Sequence, residues 1–156
     1  MSNFEIREAG LDDANEIGKL ICTLATKFIT PEFSSQAREH FLSSNNGKSV
    51  EQNMKSGFSY FVATDSKQLV GVVGVKDNSH LYHLFVVEHY QGMGLARRLW
   101  GIAMDECKRK GNRGTFTVNS SNNAIGVYEK LGFERAGPTV EKDGVFFNPM
   151  EYRSDC

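Results

Sequence analysis

The chain has 156 residues, enough for one domain with a real hydrophobic core and too few for two ordinary ones. Apolar residues make up 40% and charged residues 24%, with a net charge of -1, which excludes a disordered chain and a broad nucleic-acid-binding surface. Three cysteines, Cys22, Cys107 and Cys156, lie far apart with no CxxC, which argues against a disulfide framework or zinc site and favours a reducing cytoplasm.

The opening "MSNFEIREAG" carries charges where a signal peptide needs an apolar run. No window approaches the ~20 apolar residues of a membrane span, so a soluble, unprocessed protein is expected. "FEIREA" alternates like a strand. Behind the capping candidates Asp12 and Asp13, Ile17, Leu20, Ile21, Leu24 and Phe28 recur at helical spacing, and Pro31 ends that helix. Residues 32–57 are polar and weakly periodic, read as one or two short helices around a loop at Asn45 to Gly47.

Three strand-like runs follow, "SYFVAT", "QLVGVVGV" and "HLYHLFVV", separated by "DSKQ" and "KDNS", which predicts an antiparallel meander. Gly71 and Gly74 within the second run point to a bulge or to a close approach by another group. A helix is predicted from about Gly94 to Lys110, with Leu95, Leu99, Ile102 and Ala103 on one face and Gly111 as its stop. "GTFTVNS" is a further strand, and a short helix is expected from about Asn122 to Leu131. "RAGPTVE" and "VFFNPMEY" form a closing hairpin around "KDG". With no repeat or linker, the chain reads as one mixed α/β domain over residues 1–156.

The chemistry concentrates in "QGMGLARR". It lacks the third glycine and the βαβ context of a dinucleotide fingerprint, and neither a phosphate loop nor GxSxG occurs in the chain. Read alone, Gly92 and Gly94 simply turn a strand into a helix. Yet glycines leave the N–H groups of residues 92 to 97 uncovered at a helix start, where the dipole adds partial positive charge, so a diphosphate would sit well there. Arg97 and Arg98 oppose that dipole unless an anion offsets them.

Gln91, Gly94 and Ala96 satisfy Q/R-x-x-G-x-G/A, and "LFVV" precedes the motif. "TFTVNSS" and "AIGVYEKLGF" follow. Over residues 81–133 this order resembles the GNAT N-acetyltransferase superfamily. The resemblance implies a mostly antiparallel sheet flanked by helices, splayed between the strands at about 81–87 and 115–119, with acetyl-CoA entering the gap as cosubstrate. It also implies that the pantetheine arm pairs with the backbone of Phe85, Val86 and Val87. The N–H groups of Gly92, Met93, Gly94, Leu95, Ala96 and Arg97, after Gln91, would then cradle the pyrophosphate.

By the same resemblance Tyr128 is the general acid for the departing thiolate and a further cofactor contact; on its own it reads as a helix aromatic packed beside Val127 and Phe133. His83 shares a face with Phe85 and has an ordinary pKa suited to base work, with a pocket water as the alternative base. Asn119 is expected to bond the pantetheine arm or a pocket water, or else to cap a helix. Tyr128 lies nine residues after Asn119, where the family commonly has ten, which leaves the contacts of Asn122 and Asn123 open. Glu88 and His89 read as surface residues, and no carboxylate or thiolate completes a metal site with His80, His83 and His89.

Acetyl transfer to a primary amine of a small molecule or peptide, by direct attack in a ternary complex, is thus the expected activity. A non-catalytic acyl-CoA sensor is the alternative, and a nucleotide-binding protein using the same turn is a third. Acceptor walls would come from residues about 24–60 and 134–150, where Phe28, Phe33, Phe58, Tyr60 and Phe147 are candidates. Neither nucleic acid nor a membrane is expected as partner, and open sheet edges leave room for a homodimer.

Overall fold

A single twisted sheet organises the chain in this computed structural model, which describes residues 4–154. Strand β1 (Phe4–Glu8) leads through a short turn into helix α1 (Ala14–Phe28). Asp13 stiffens that turn: its carboxylate accepts from the Gly10 N–H at 2.8 Å and from both terminal nitrogens of Arg7 at 2.8 and 2.9 Å. Helix α1 ends ahead of a single 3-10 turn at Thr30–Glu32 that contains Pro31. Helices α2 (Ser35–Ser43) and α3 (Gly47–Lys55) follow, each capped by a side-chain oxygen, Ser34 Oγ to the Ala37 N–H and Asn46 Oδ1 to the Ser49 N–H.

Strands β2 (Ser59–Asp65), β3 (Gln68–Lys76) and β4 (His80–Val86) form the expected antiparallel meander. After helix α4 (Leu95–Arg109) come β5 (Thr115–Ser120), helix α5 (Ile125–Leu131), β6 (Glu134–Arg135), β7 (Val140–Lys142) and β8 (Val145–Arg153). The sheet order is β1-β2-β3-β4-β5-β8-β6, with β7 pairing to β8. Its pairs are antiparallel except β4 with β5.

Two apolar layers cover the sheet. On one face Leu95, Leu99, Trp100, Ala103 and Cys107 of α4 pack with Val73, Leu81, Phe116 and Phe133. On the other, Ile17, Leu20, Ile21 and Leu24 of α1 pack with Val50, Tyr60, Val62 and Val72. Ile102, expected on the buried face of α4, is 36% exposed, because the contact stripe runs through Trp100 instead. Cys22 and Cys107 are free thiols, and Cys156 lies outside the described residues.

Three local expectations are refined. Helix α5 begins at Ile125, because the Asn122 and Asn123 side chains are spent on partners far away in sequence. The closing hairpin is interrupted: β7 and β8 turn at Asp143–Gly144, whose φ values of 53° and 83° suit a tight turn, while β6 pairs separately with Met150 and Glu151. One bulge falls on β3 beside Gly71, where Ala63 pairs with Gly71 and Thr64 with Leu69 so that Val70 is extra, and another falls on β4 opposite Gly74. Gly74 pairs with His83 and Val75 with Leu81, so Tyr82 is the extra residue. Gly74 itself is needed for close approach, since the Tyr60 ring occupies the place of a β-carbon there.

Candidate functional site

Strands β4 and β5 pair only at His80 with Thr117 and Leu81 with Val118, then part. Beyond the Tyr82 bulge, the β4 edge facing β5 therefore has no strand partner. The Val87 N–H donates to the Val70 carbonyl at 2.9 Å, which sets the alternation of the β3–β4 ladder. By that alternation the Phe85 backbone groups and the Val87 N–H face β3, while the Val87 carbonyl accepts from the Tyr90 N–H at 2.8 Å; Leu84 and Val86 direct their backbone groups into the splay. Of the three residues expected to pair with the arm, Val86 is the one whose backbone faces the splay, and Leu84, which was not among them, faces it too. The Val86 carbonyl accepts from Gln91 Nε2 at 2.9 Å, so Gln91 staples the end of the strand to the following turn.

That turn leaves a run of backbone N–H groups uncovered at a helix start, a geometry suited to an anion. Gly92 and Gly94 have φ of 81° and 79°, the left-handed region where a side chain is strained, and open space lies where each β-carbon would be. The first hydrogen bond into α4 is from the Arg98 N–H to the Gly94 carbonyl, and among the described residues the N–H groups of residues 92–97 have no partner. Met93 is 55% exposed at the apex. Arg97 is anchored by donating to the Lys130 carbonyl at 2.6 Å, at the end of α5, where a cation suits the helix dipole.

Cradle and splay open into one cavity of about 890 Å³. Tyr128 lines it with its ring packed edge-to-face on Phe133 at 5.7 Å, and the hydroxyl has no hydrogen-bond partner among the described residues. Burial pushes this phenol up, so it remains protonated at neutral pH. Asn119 is exposed on the cavity wall with its side-chain amide unpartnered among the described residues. Asn122 instead donates to Glu32 at 2.6 Å, and Asn123 to the Phe28 carbonyl at 2.5 Å, clamping the β5–α5 connection to the end of α1.

His83 differs most from its expected role. Its ring is 4% exposed, between Tyr60 Oη at 2.9 Å from Nδ1 and Asn45 Oδ1 at 2.7 Å from Nε2. Asn45 Nδ2 already donates to the Phe41 carbonyl at 2.8 Å, so Oδ1 faces the ring and Nε2 must carry the proton. Nδ1 then accepts from the Tyr60 hydroxyl, whose oxygen accepts from Asn53 Nδ2 at 3.1 Å. Both nitrogens are committed, and burial lowers the ring to about 3. A direct base role does not suit such a group.

His80 sits at the first paired residue of β4 with β5, with Nδ1 at 2.7 Å from Thr117 Oγ1 and its pKa lowered by burial. Glu88 and His89 are exposed, and Glu88 pairs with Lys27 at 2.7 Å. Of the acceptor-wall candidates, Phe28, Phe33 and Phe147 line the cavity; Phe58 and Tyr60 border a separate recess of about 440 Å³ beside Gly10 and Lys110. Phe41 and Phe146 were not foreseen, since neither shows its direction in a weakly periodic or interrupted segment.

Comparison with known proteins agrees with this geometry. Residues 29–154 match a family profile described as "Acetyltransferase (GNAT) domain". Acetyltransferase Atu2258 of Agrobacterium fabrum is 32% identical over 75 residues, which are 47% of this chain and 55% of that protein, so the match spans about half the length of this curated relative. A GCN5-related N-acetyltransferase from Rhodopseudomonas palustris superposes with a TM-score of 0.81 at 20% identity, over 99% of this chain and 98% of its own. The PaiA N-acetyltransferase from Thermoplasma acidophilum, solved in complex with coenzyme A, gives 0.77 at 18% identity over 97% and 99%. With a family profile matched over most of its length, the chain belongs to the GNAT acetyltransferase family.

Proposed function

We propose that the protein transfers an acetyl group from acetyl-CoA to a primary amine, the amine attacking directly while both substrates are bound. The observation that carries this reading is the run of unpartnered N–H groups at residues 92–97, opening into the same cavity as the unpartnered Tyr128 hydroxyl. Left-handed glycines, a helix start and an unpaired strand edge fit a ligand with a diphosphate and an amide-bearing arm. The Thermoplasma neighbour was solved with coenzyme A. Two free thiols, Cys22 and Cys107, suit a cytoplasmic setting.

Acetyl-CoA supplies an activated thioester. The chain must hold its carbonyl, receive a neutral amine and quench the departing sulfur. The outward N–H groups of Leu84 and Val86 are the donors placed to polarise the carbonyl. A carbon–nitrogen bond forms and the carbon–sulfur bond breaks, with Tyr128 donating its proton to sulfur and recovering one from solvent. Burial raises the proton affinity of a thiolate as it does that of the phenol, so the transfer is closer to balanced than their values in water suggest. The amine's own proton leaves through cavity water, because His83 has no free lone pair. His83 acts as a positioning residue that fixes the bulge beside the reacting groups.

Acceptor-dependent thiol release from acetyl-CoA tests the reading. Release that requires both an amine and the protein supports it. Tight coenzyme A binding without release for any amine would indicate a sensor instead.

A further inference from the structure

We infer that the acceptor is an arylalkylamine by class: one amino group on an aromatic body with no second charge. This rests on the transferase reading above and assigns the substrate class of the same site.

The argument begins with charge. Among the described residues that line the cavity there is no Asp, Glu, Lys or Arg. Of the carboxylates nearby in sequence, Glu32 is engaged with Asn122 and Glu88 with Lys27, and neither Glu39 nor Glu129, next to His40 and Tyr128 in the chain, lines the cavity. A polyamine or aminoglycoside would bring a second ammonium into a wall with no anion to meet it, and an amino acid would bring a carboxylate with no cation. Burying an unpaired charge is strongly unfavourable, and attraction of an ammonium to ring faces does not offset it.

What the wall offers instead is rings. Phe28 from α1, Phe33 from the following loop, Phe41 from α2, Tyr82 from the bulge, and Phe146 and Phe147 from β8 converge on the cavity. Phe33 and Phe41 already meet edge-to-face at 5.8 Å, a geometry that an incoming ring can extend. An apolar wall also favours the uncharged amine, so the ammonium proton passes to water on entry. That fits a cavity whose buried histidine has both nitrogens engaged.

The test compares 2-phenylethylamine, hexylamine, L-phenylalanine and putrescine, by thiol release and by calorimetric binding to the coenzyme A-loaded protein. Turnover efficiency for 2-phenylethylamine should exceed that for putrescine and L-phenylalanine on the order of a hundredfold, with hexylamine between. Putrescine or L-phenylalanine at parity would overturn the class while leaving the transferase intact. Selective calorimetric binding of 2-phenylethylamine without thiol release would sustain the class and sink the transferase. Binding that does not discriminate among the four would overturn the class whether or not thiol is released. His40 lies exposed on α2 at the cavity rim, so His40→Glu adds an anion without disturbing the core. It should shift preference toward putrescine at least about tenfold, and an unchanged ratio counts against the proposal.

Discussion

The Tyr60 hydroxyl donates to Nδ1 of His83 across 2.9 Å, joining β2 to the bulged strand β4 through a buried side-chain contact. The ring is neutral in the fold at about 3 and protonates near 6.5 in the unfolded chain. Its folded value is therefore depressed, and the unfolded state binds the extra proton between those limits. Stability is fully present above about pH 6.5 and falls with pH by up to roughly 1.4 kcal/mol per unit toward the folded value. Urea unfolding between pH 4.5 and 8 should show this slope, and His83→Gln should flatten it. A slope unchanged in that variant would assign the acid sensitivity to another group, such as His80, which burial also lowers.

Gly74→Ala tests the packing that aims Tyr60 at His83. An added β-carbon meets the Tyr60 ring edge, and the ring is buried with its hydroxyl held by His83 and Asn53. A loss of about 1–3 kcal/mol is expected. Thermal unfolding at neutral pH measures it, and full retention of stability would show that the ring can step aside.

At the cradle, Gly94→Glu places a carboxylate where the diphosphate would dock and forces a side chain into left-handed backbone. Stability should drop by about 1–2 kcal/mol. Coenzyme A affinity should fall at least on the order of a hundredfold, through the lost backbone approach and the added repulsion. Calorimetry on the folded variant separates the two effects. Undiminished affinity would remove the cradle from the cofactor site.

Tyr128→Phe removes only the unpartnered hydroxyl and keeps the ring on Phe133. Turnover should fall on the order of a hundredfold with acetyl-CoA affinity nearly unchanged. Steady-state kinetics alongside direct binding decides between acid and packing roles, since a packing role would weaken both or neither.

Much of the architecture was legible because its signals are local. Alternation marked the meander, the spacing of Ile17, Leu20, Ile21 and Leu24 marked α1, and two glycines ahead of an apolar helix marked the cradle. A backbone turn whose N–H groups bind an anion uses residues adjacent in the chain, so its chemistry is written in one short run. Side-chain chemistry is different. His83 looked like a base by type and position, but Asn45, 38 residues earlier, and Tyr60, 23 earlier, occupy its two nitrogens. Asn122 and Asn123 likewise meet partners 90 and 95 residues away. The backbone polarity of β4 was decided by one bulge at Tyr82, which sets which alternate residues face the splay. The uncharged aromatic acceptor wall is assembled from separate helices, loops and strands, none of which carries the pattern alone. The sequence by itself determined the order of elements and the glycine turn with its uncovered N–H groups, through periodicity and backbone freedom. Only the tertiary structure decided which polar groups remain available for chemistry, because burial and long-range hydrogen bonds set protonation and direction.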